Sequence, residues 1–189
     1  AALALIAATA YFVNVKPISA SSNLIKAITP NQQIGYRDSL SRFKQILEAK
    51  TFVSGETREQ LANLALTVVG DKQYDDNFKR EFLTLAVNEL ESQTKRQPTD
   101  ARALVILGSL LRETGNIEPA LEVFKQAVII SPHKQTIMFQ LGQTYLNSGK
   151  TREAIDVFKK AFELEPRFEA ARKFYALSFF ISGQTEESD

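Results

Sequence analysis

Apolar residues recur at spacings of three and four along most of this chain, a period that predicts one helix after another and no strand. Residues 36–50 carry such a stripe in Leu40, Phe43, Ile46 and Leu47, and residues 58–69 carry another in Leu61, Leu64, Ala65 and Val68. Ser54-Gly55-Glu56-Thr57 is expected as the break between them, and Gly70 as a C-terminal stop. A longer helix is predicted over residues 75–97, with Phe78, Phe82, Leu85, Ala86, Val87 and Leu90 on its inner side and Pro98 ending it. Ahead of these, Ser19, Ser21 and Ser22 are placed to cap a short helix within residues 17–30, with Leu24, Ile25 and Ile28 on one side. The fold class is therefore all-α.

The first 13 residues, AALALIAATAYFV, are uncharged and apolar without period. A bilayer takes about 20 residues to cross, so this stretch alone falls short. It reads as the end of a transmembrane helix, as the end of a signal peptide, or as an apolar helix packed on the rest. Ala8-Thr9-Ala10 has the small-x-small form of a cleavage site. Tyr11, Asn14 and Lys16 follow like the border of a membrane interface, which favours the first reading. The chain begins at Ala1 and its one methionine is Met138, so a longer parent protein is expected.

From residue 101 the pattern repeats at an offset of 34 residues. Laid over residues 135–168, residues 101–134 put Leu107 on Leu141, Gly108 on Gly142, Gly115 on Gly149, Ala120 on Ala154, Phe124 on Phe158, Ala127 on Ala161 and Pro132 on Pro166. Gly108, Gly142, Ala120 and Ala154 are small where paired helices approach closely. Phe124 and Phe158 fill the space between units, and Gly115 and Gly149 permit a tight turn. Leu104 and Met138, then Leu111 and Tyr145, complete the set. This pattern resembles the tetratricopeptide repeat (TPR) family, a solenoid of helical hairpins in which stacked units bury a shared core and present a binding surface. A third unit starts at residue 169, with Tyr175, Ala176, Phe179 and Gly183 in register but Arg172 in the first apolar place. Its helix is rich in Phe and lacks a capping helix's polar outer face, so this end is expected to meet more chain, a partner or a second copy. Ala86, Leu90 and Pro98 fall at the spacing of a degenerate second helix upstream. The predicted domains are a membrane or signal segment over 1–16, irregular helices over 17–98, and TPR units over 99–189 (101–134, 135–168 and a partial 169–189).

Composition narrows the function. An apolar share of 44% suffices for a core, and a net charge of +1 gives no reason to expect nucleic acid. With no cysteine there is no disulfide or thiolate metal site. His133 is the only histidine, follows Pro132, and reads as a surface residue without a second metal ligand. Asp75-Asp76, Glu163 with Glu165, and Glu186-Glu187 read as solvated carboxylates. The glycines follow the repeat instead of a phosphate loop. No catalytic constellation, metal site or cofactor is expected.

Binding is different. In the family's geometry the first helix of each unit lines a concave groove. Arg102, Val105, Ser109 and Arg112 take those places in the first unit, Thr136, Phe139, Gln143 and Leu146 in the second, and Lys173 and Leu177 in the third. Phe139 and Leu146 would anchor apolar groups of a protein or peptide, and Arg102, Arg112 and Lys173 would supply charge. Val105, Ser109, Phe139 and Gln143 stand where a chaperone-type carboxylate clamp needs cationic or amide groups, so a chaperone C-terminus is a poor ligand.

A second resemblance rests on the order of an apolar segment, Asn14-Val15-Lys16-Pro17, Leu24-Ile25-Lys26-Ala27, the helix over 37–47 with Phe43, and Glu56 to Leu61 (ETREQL) before the TPR pair. This order is similar to the region after the last membrane helices of O-antigen ligase/polymerase-like proteins that carry TPRs. That resemblance implies a membrane glycosyltransferase using lipid-linked sugar, with the TPR region outside the cytoplasm, in the periplasm or at the cell surface. The family's catalytic residues lie in its membrane region, and none transfers to this chain. The other reading is a self-standing TPR adaptor, exported or cytoplasmic, that binds peptides in its groove.

Overall fold

A computed structural model describes residues 2–29 and 35–183; Glu186-Glu187 and Pro30 lie outside them. The described residues form helices joined by turns, and no strand forms among them. The chain divides into two compact units, Ala1–Glu89 and Leu90–Asp189.

The first unit opens with α1 (Ala2–Ala10), a π-helical turn (Tyr11–Val15) and α2 (Lys16–Ile28), which run on as one helix over Ala2–Ile28. This corrects the expectation of a 13-residue apolar segment followed by a separate serine-capped helix: α2 has no side-chain cap. The cause is local. Pro17 has no N–H to give and its ring would press on the carbonyl one turn back. The wider π turn, closed by the Lys16 N–H donating to the Tyr11 carbonyl, opens the backbone just before that ring. By length and composition this 27-residue helix can cross a membrane. Residues 2–15 bury nothing, whereas α2 buries Pro17, Ala20, Leu24 and Ala27 against the next helices. Ile25, expected on the inner side, is 64% exposed, because the buried stripe advances from Leu24 to Ala27 and carries Ile25 round to the outside.

Next come α3 (Arg37–Glu48) and α4 (Ser54–Gly70). The expected break at residues 54–57 is instead the first turn of α4, where the Thr57 hydroxyl donates to the Val53 carbonyl at 2.8 Å. The reversal comes earlier, at Lys50, whose φ of +49° is a left-handed conformation that glycine usually supplies. Helix α5 (Asp76–Arg96) begins where the Asp75 carboxylate accepts the Phe78 N–H at 3.0 Å. Its rings join the core of the first unit: Phe82 lies edge-on to Phe43 at 6.2 Å and to Phe78 at 5.6 Å.

Two groups here give testable outcomes. The backbone N–H of Phe78, and after it the Arg37 guanidinium, hold the Asp75 carboxyl below its usual range. A depressed folded pKa stabilises above the unfolded value and ceases to do so as pH falls through the folded one. Thermal stability should therefore fall on acidification below about pH 4. Asp75→Asn, which keeps an acceptor but cannot titrate, should flatten that part of the profile. Arg58 donates to Glu89 at 3.0 Å with its side chain only 12% exposed, tying α4 to α5. Arg58→Ala should cost about 1–2 kcal/mol in urea unfolding, the worth of a charged hydrogen bond plus the stranded carboxylate.

The second unit holds α6 (Ala101–Glu113), α7 (Ile117–Ile130), α8 (Gln135–Asn147), α9 (Thr151–Leu164) and α10 (Glu169–Ser182). Each packs on the next, and α8 also touches α6 and α10, the arrangement of a helical-hairpin solenoid. Asp100 caps α6 by accepting the Ala103 N–H at 3.0 Å. Gly115 and Gly149 turn with φ of +81° and +73°, as their spacing predicted. Helices α7 and α9 end two residues before Pro132 and Pro166. Phe124 and Phe158 are fully buried under Gly108 and Gly142.

Candidate partner-binding face

The three first helices, α6, α8 and α10, carry all ten residues expected to line a groove, and the packing of α8 on α6 and α10 sets them side by side. Their states differ. Arg102, Thr136, Lys173 and Leu177 are exposed, and Val105, Ser109, Arg112, Gln143 and Leu146 are half-buried. Phe139 is buried, 7% exposed.

Phe139 is held by its neighbours. Its ring stacks on Phe168 at 6.0 Å and tilts against Phe174 at 4.9 Å. The partially matching third unit therefore closes over the aromatic that sequence offered as an open anchor. Leu146 packs on the same cluster, and Val105 on the one formed by Leu104, Ala127 and Ile137. Leu177 is left as the exposed apolar group among the ten.

The charged candidates are also engaged. The Arg112 guanidinium donates to the Gln140 side-chain oxygen at 2.6 Å, lies 5.8 Å from the Phe124 ring centre and pairs with Glu113. It bridges two repeats, and Gln140, which the consensus positions do not mark, is its partner. Lys173 pairs with Glu169 one turn earlier, and that hydrogen bond holds the Glu169 carboxyl below its usual range. Such an exposed pair contributes little and opens readily to a ligand. Arg102, Thr136 and Lys173 lie exposed on this face, and Ser109 and Gln143 are half-buried, so its surface is mostly polar.

The described residues gather no three His, Cys, Asp or Glu side chains fit to hold a metal ion. His133 is exposed in the turn between α7 and α8.

Two family profiles described as tetratricopeptide repeat match the chain, one over residues 75–134 and one over residues 111–178. No curated protein matches the sequence. Among solved structures, a crystal structure of MamA is 21% identical, covers 79% of this chain and 80% of its own, and superposes with a TM-score of 0.58. MamA from Desulfovibrio magneticus, from residue 41 to its end, is 15% identical over 92% of this chain and 87% of its own, with a TM-score of 0.61. YrrB, described as a TPR protein with an unusual peptide-binding site, is 16% identical over 94% of this chain and 79% of its own, with a TM-score of 0.59. At these identities the likeness is one of fold.

Proposed function

From the premise that residues 75–178 belong to the tetratricopeptide repeat family, we propose that the chain is a non-catalytic, membrane-held scaffold that binds a protein or peptide across α6, α8 and α10. The observation that carries this is the set of adjoining first helices, whose shared face keeps Arg102, Thr136 and Lys173 exposed while their other sides are packed. YrrB's peptide-binding site supports the same use of the fold. A photo-crosslinker at Thr136 or Gln143 of the full chain tests it, with peptides selected for binding from a random library. Attachment from these positions, and little from Lys160 on α9, is expected. Equal labelling from Lys160 would sink the assignment.

The apolar helix over residues 2–28 supports anchoring in a membrane. The finer reading rests on the order of sequence segments: the chain is the extracytoplasmic C-terminal region of an O-antigen ligase/polymerase-like glycosyltransferase, and the repeats organise its partners. The exposed Leu177 and Phe180 support self-association at the last described helix. Reading the coding DNA upstream of Ala1 tests the attachment. Many membrane spans would support it. A short basic leader would leave the exported adaptor as the reading.

A further inference from the structure

We propose that the turn between α3 and α4 is a second membrane contact, in which Phe52 enters the lipid beside the N-terminal helix while Lys16 and Lys50 hold anionic headgroup phosphates. This rests on the membrane reading above and adds to it a headgroup site.

Four observations meet at this turn. A cleft of about 470 Å³ has Phe12, Val13, Lys16 and Pro17 on one wall and Lys50, Thr51 and Phe52 on the other. The turn therefore stands level with the point where the helix passes from its unpacked half to its packed half. Phe52 is 81% exposed although Val53 beside it is buried, so the ring has no place in the protein core. It adds to the bare apolar surface of Phe12 and Val13, which line the same cleft and are each 61% exposed. Aromatic rings flanked by lysines are the composition of a membrane border, where rings sit at headgroup depth and ammonium groups reach the phosphates.

The cations fit that place. Lys16 lies over the Phe12 ring at 5.4 Å, and no carboxylate among the described residues pairs with Lys16 or Lys50. Glu56, the nearest acid after the turn, accepts a hydrogen bond from Gln60 instead. Lys50 holds the left-handed position that closes α3, where glycine would relax the backbone. A lysine kept in a strained conformation at the mouth of a cleft points to a task for its charge. A protein partner would need acidic groups and an apolar socket in register with a helical stretch, residues 2–15, that is bare on every side. A bilayer containing anionic lipid supplies both without register.

The chain has no tryptophan, so single indoles report without background. L5W reports on the helix and F52W on the turn, each in the full chain reconstituted into vesicles carrying lipid brominated near the headgroup end of its acyl chains. One set is phosphatidylcholine alone, and the other adds phosphatidylglycerol. Both indoles should emit to the blue and be quenched, F52W more strongly in the anionic vesicles. Adding K50G should lower the ratio of quenched to unquenched F52W about five-fold in anionic vesicles, the effect of one cation at such a surface. It should leave neutral vesicles unchanged. K50G suits the left-handed backbone, so its melting temperature should hold or rise, which separates lost lipid contact from misfolding. Quenching of L5W without F52W would leave the anchor standing and overturn the contact. The same K50G response in neutral and anionic vesicles would overturn the headgroup site. If neither indole is quenched, the membrane reading fails and the contact with it.

Discussion

Phe158→Ala is expected to cost about 3–5 kcal/mol, the largest loss of any single substitution in the second unit. The ring is wholly buried among Met138, Phe139, Ala154, Ala161 and Ala171, and stacks on Phe174 with 5.3 Å between centres. Truncation would open a cavity at the meeting point of α8, α9 and α10, where three helices cannot collapse together without breaking the stack. Energy in a repeat array resides in each unit and its nearest contacts, so the loss should be local. Hydrogen exchange should show α8, α9 and α10 amides opening before those of α6. If urea unfolding shifts by less than about 1 kcal/mol, the ring does not hold the units together.

The second large effect comes from adding atoms. A Cβ built on Gly142 would sit 2.5 Å from the Cζ of Phe158, a ring packed on every side and unable to swing away. On Gly108 the same atom would stand 2.9 Å from the Cζ of Phe124, a lesser overlap. Alanine gains about 1 kcal/mol over glycine in helix propensity, while overpacking costs about 1–3 kcal/mol. Gly108→Ala should thus come out near neutral. Gly142→Ala should be destabilising by about 1–2 kcal/mol, and Gly142→Val by about 3 kcal/mol. Pairing Gly142→Ala with Phe158→Leu should recover part of the sum, a coupling of about 1 kcal/mol, because the smaller side chain makes room for the new methyl group. Strict additivity in that cycle would mean that the two residues do not meet.

Much of the second unit was legible because its rules are local. Gly115 and Gly149 turn with positive φ in the three-residue links within the two repeats, and Pro132 and Pro166 follow the ends of α7 and α9. Period alone put Phe124 and Phe158 in the core. The first unit was less legible. Ser54-Gly55-Glu56-Thr57 reads as a break by residue preference, yet it is a helical turn because Lys50 takes the reversal upon itself. Ile25 and Leu24 look equivalent in sequence, and only the arrival of α3 and α4 chooses Leu24.

The candidate face shows the same division. Its ten positions follow from the repeat, but their availability depends on what packs over them. By itself the sequence determined the helical class, the 34-residue unit, the turn glycines and which helices carry the face, since these follow from spacing and backbone preference within one or two turns. Tertiary structure decided that Leu24 and Ala27, and not Ile25, form the buried side of the apolar helix, whose π turn before Pro17 is a local backbone register. It also decided that Arg112 is taken by Gln140 and that Phe139 is closed in by Phe168 and Phe174. Those outcomes depend on groups distant in the chain, or on a backbone register that residue spacing does not encode.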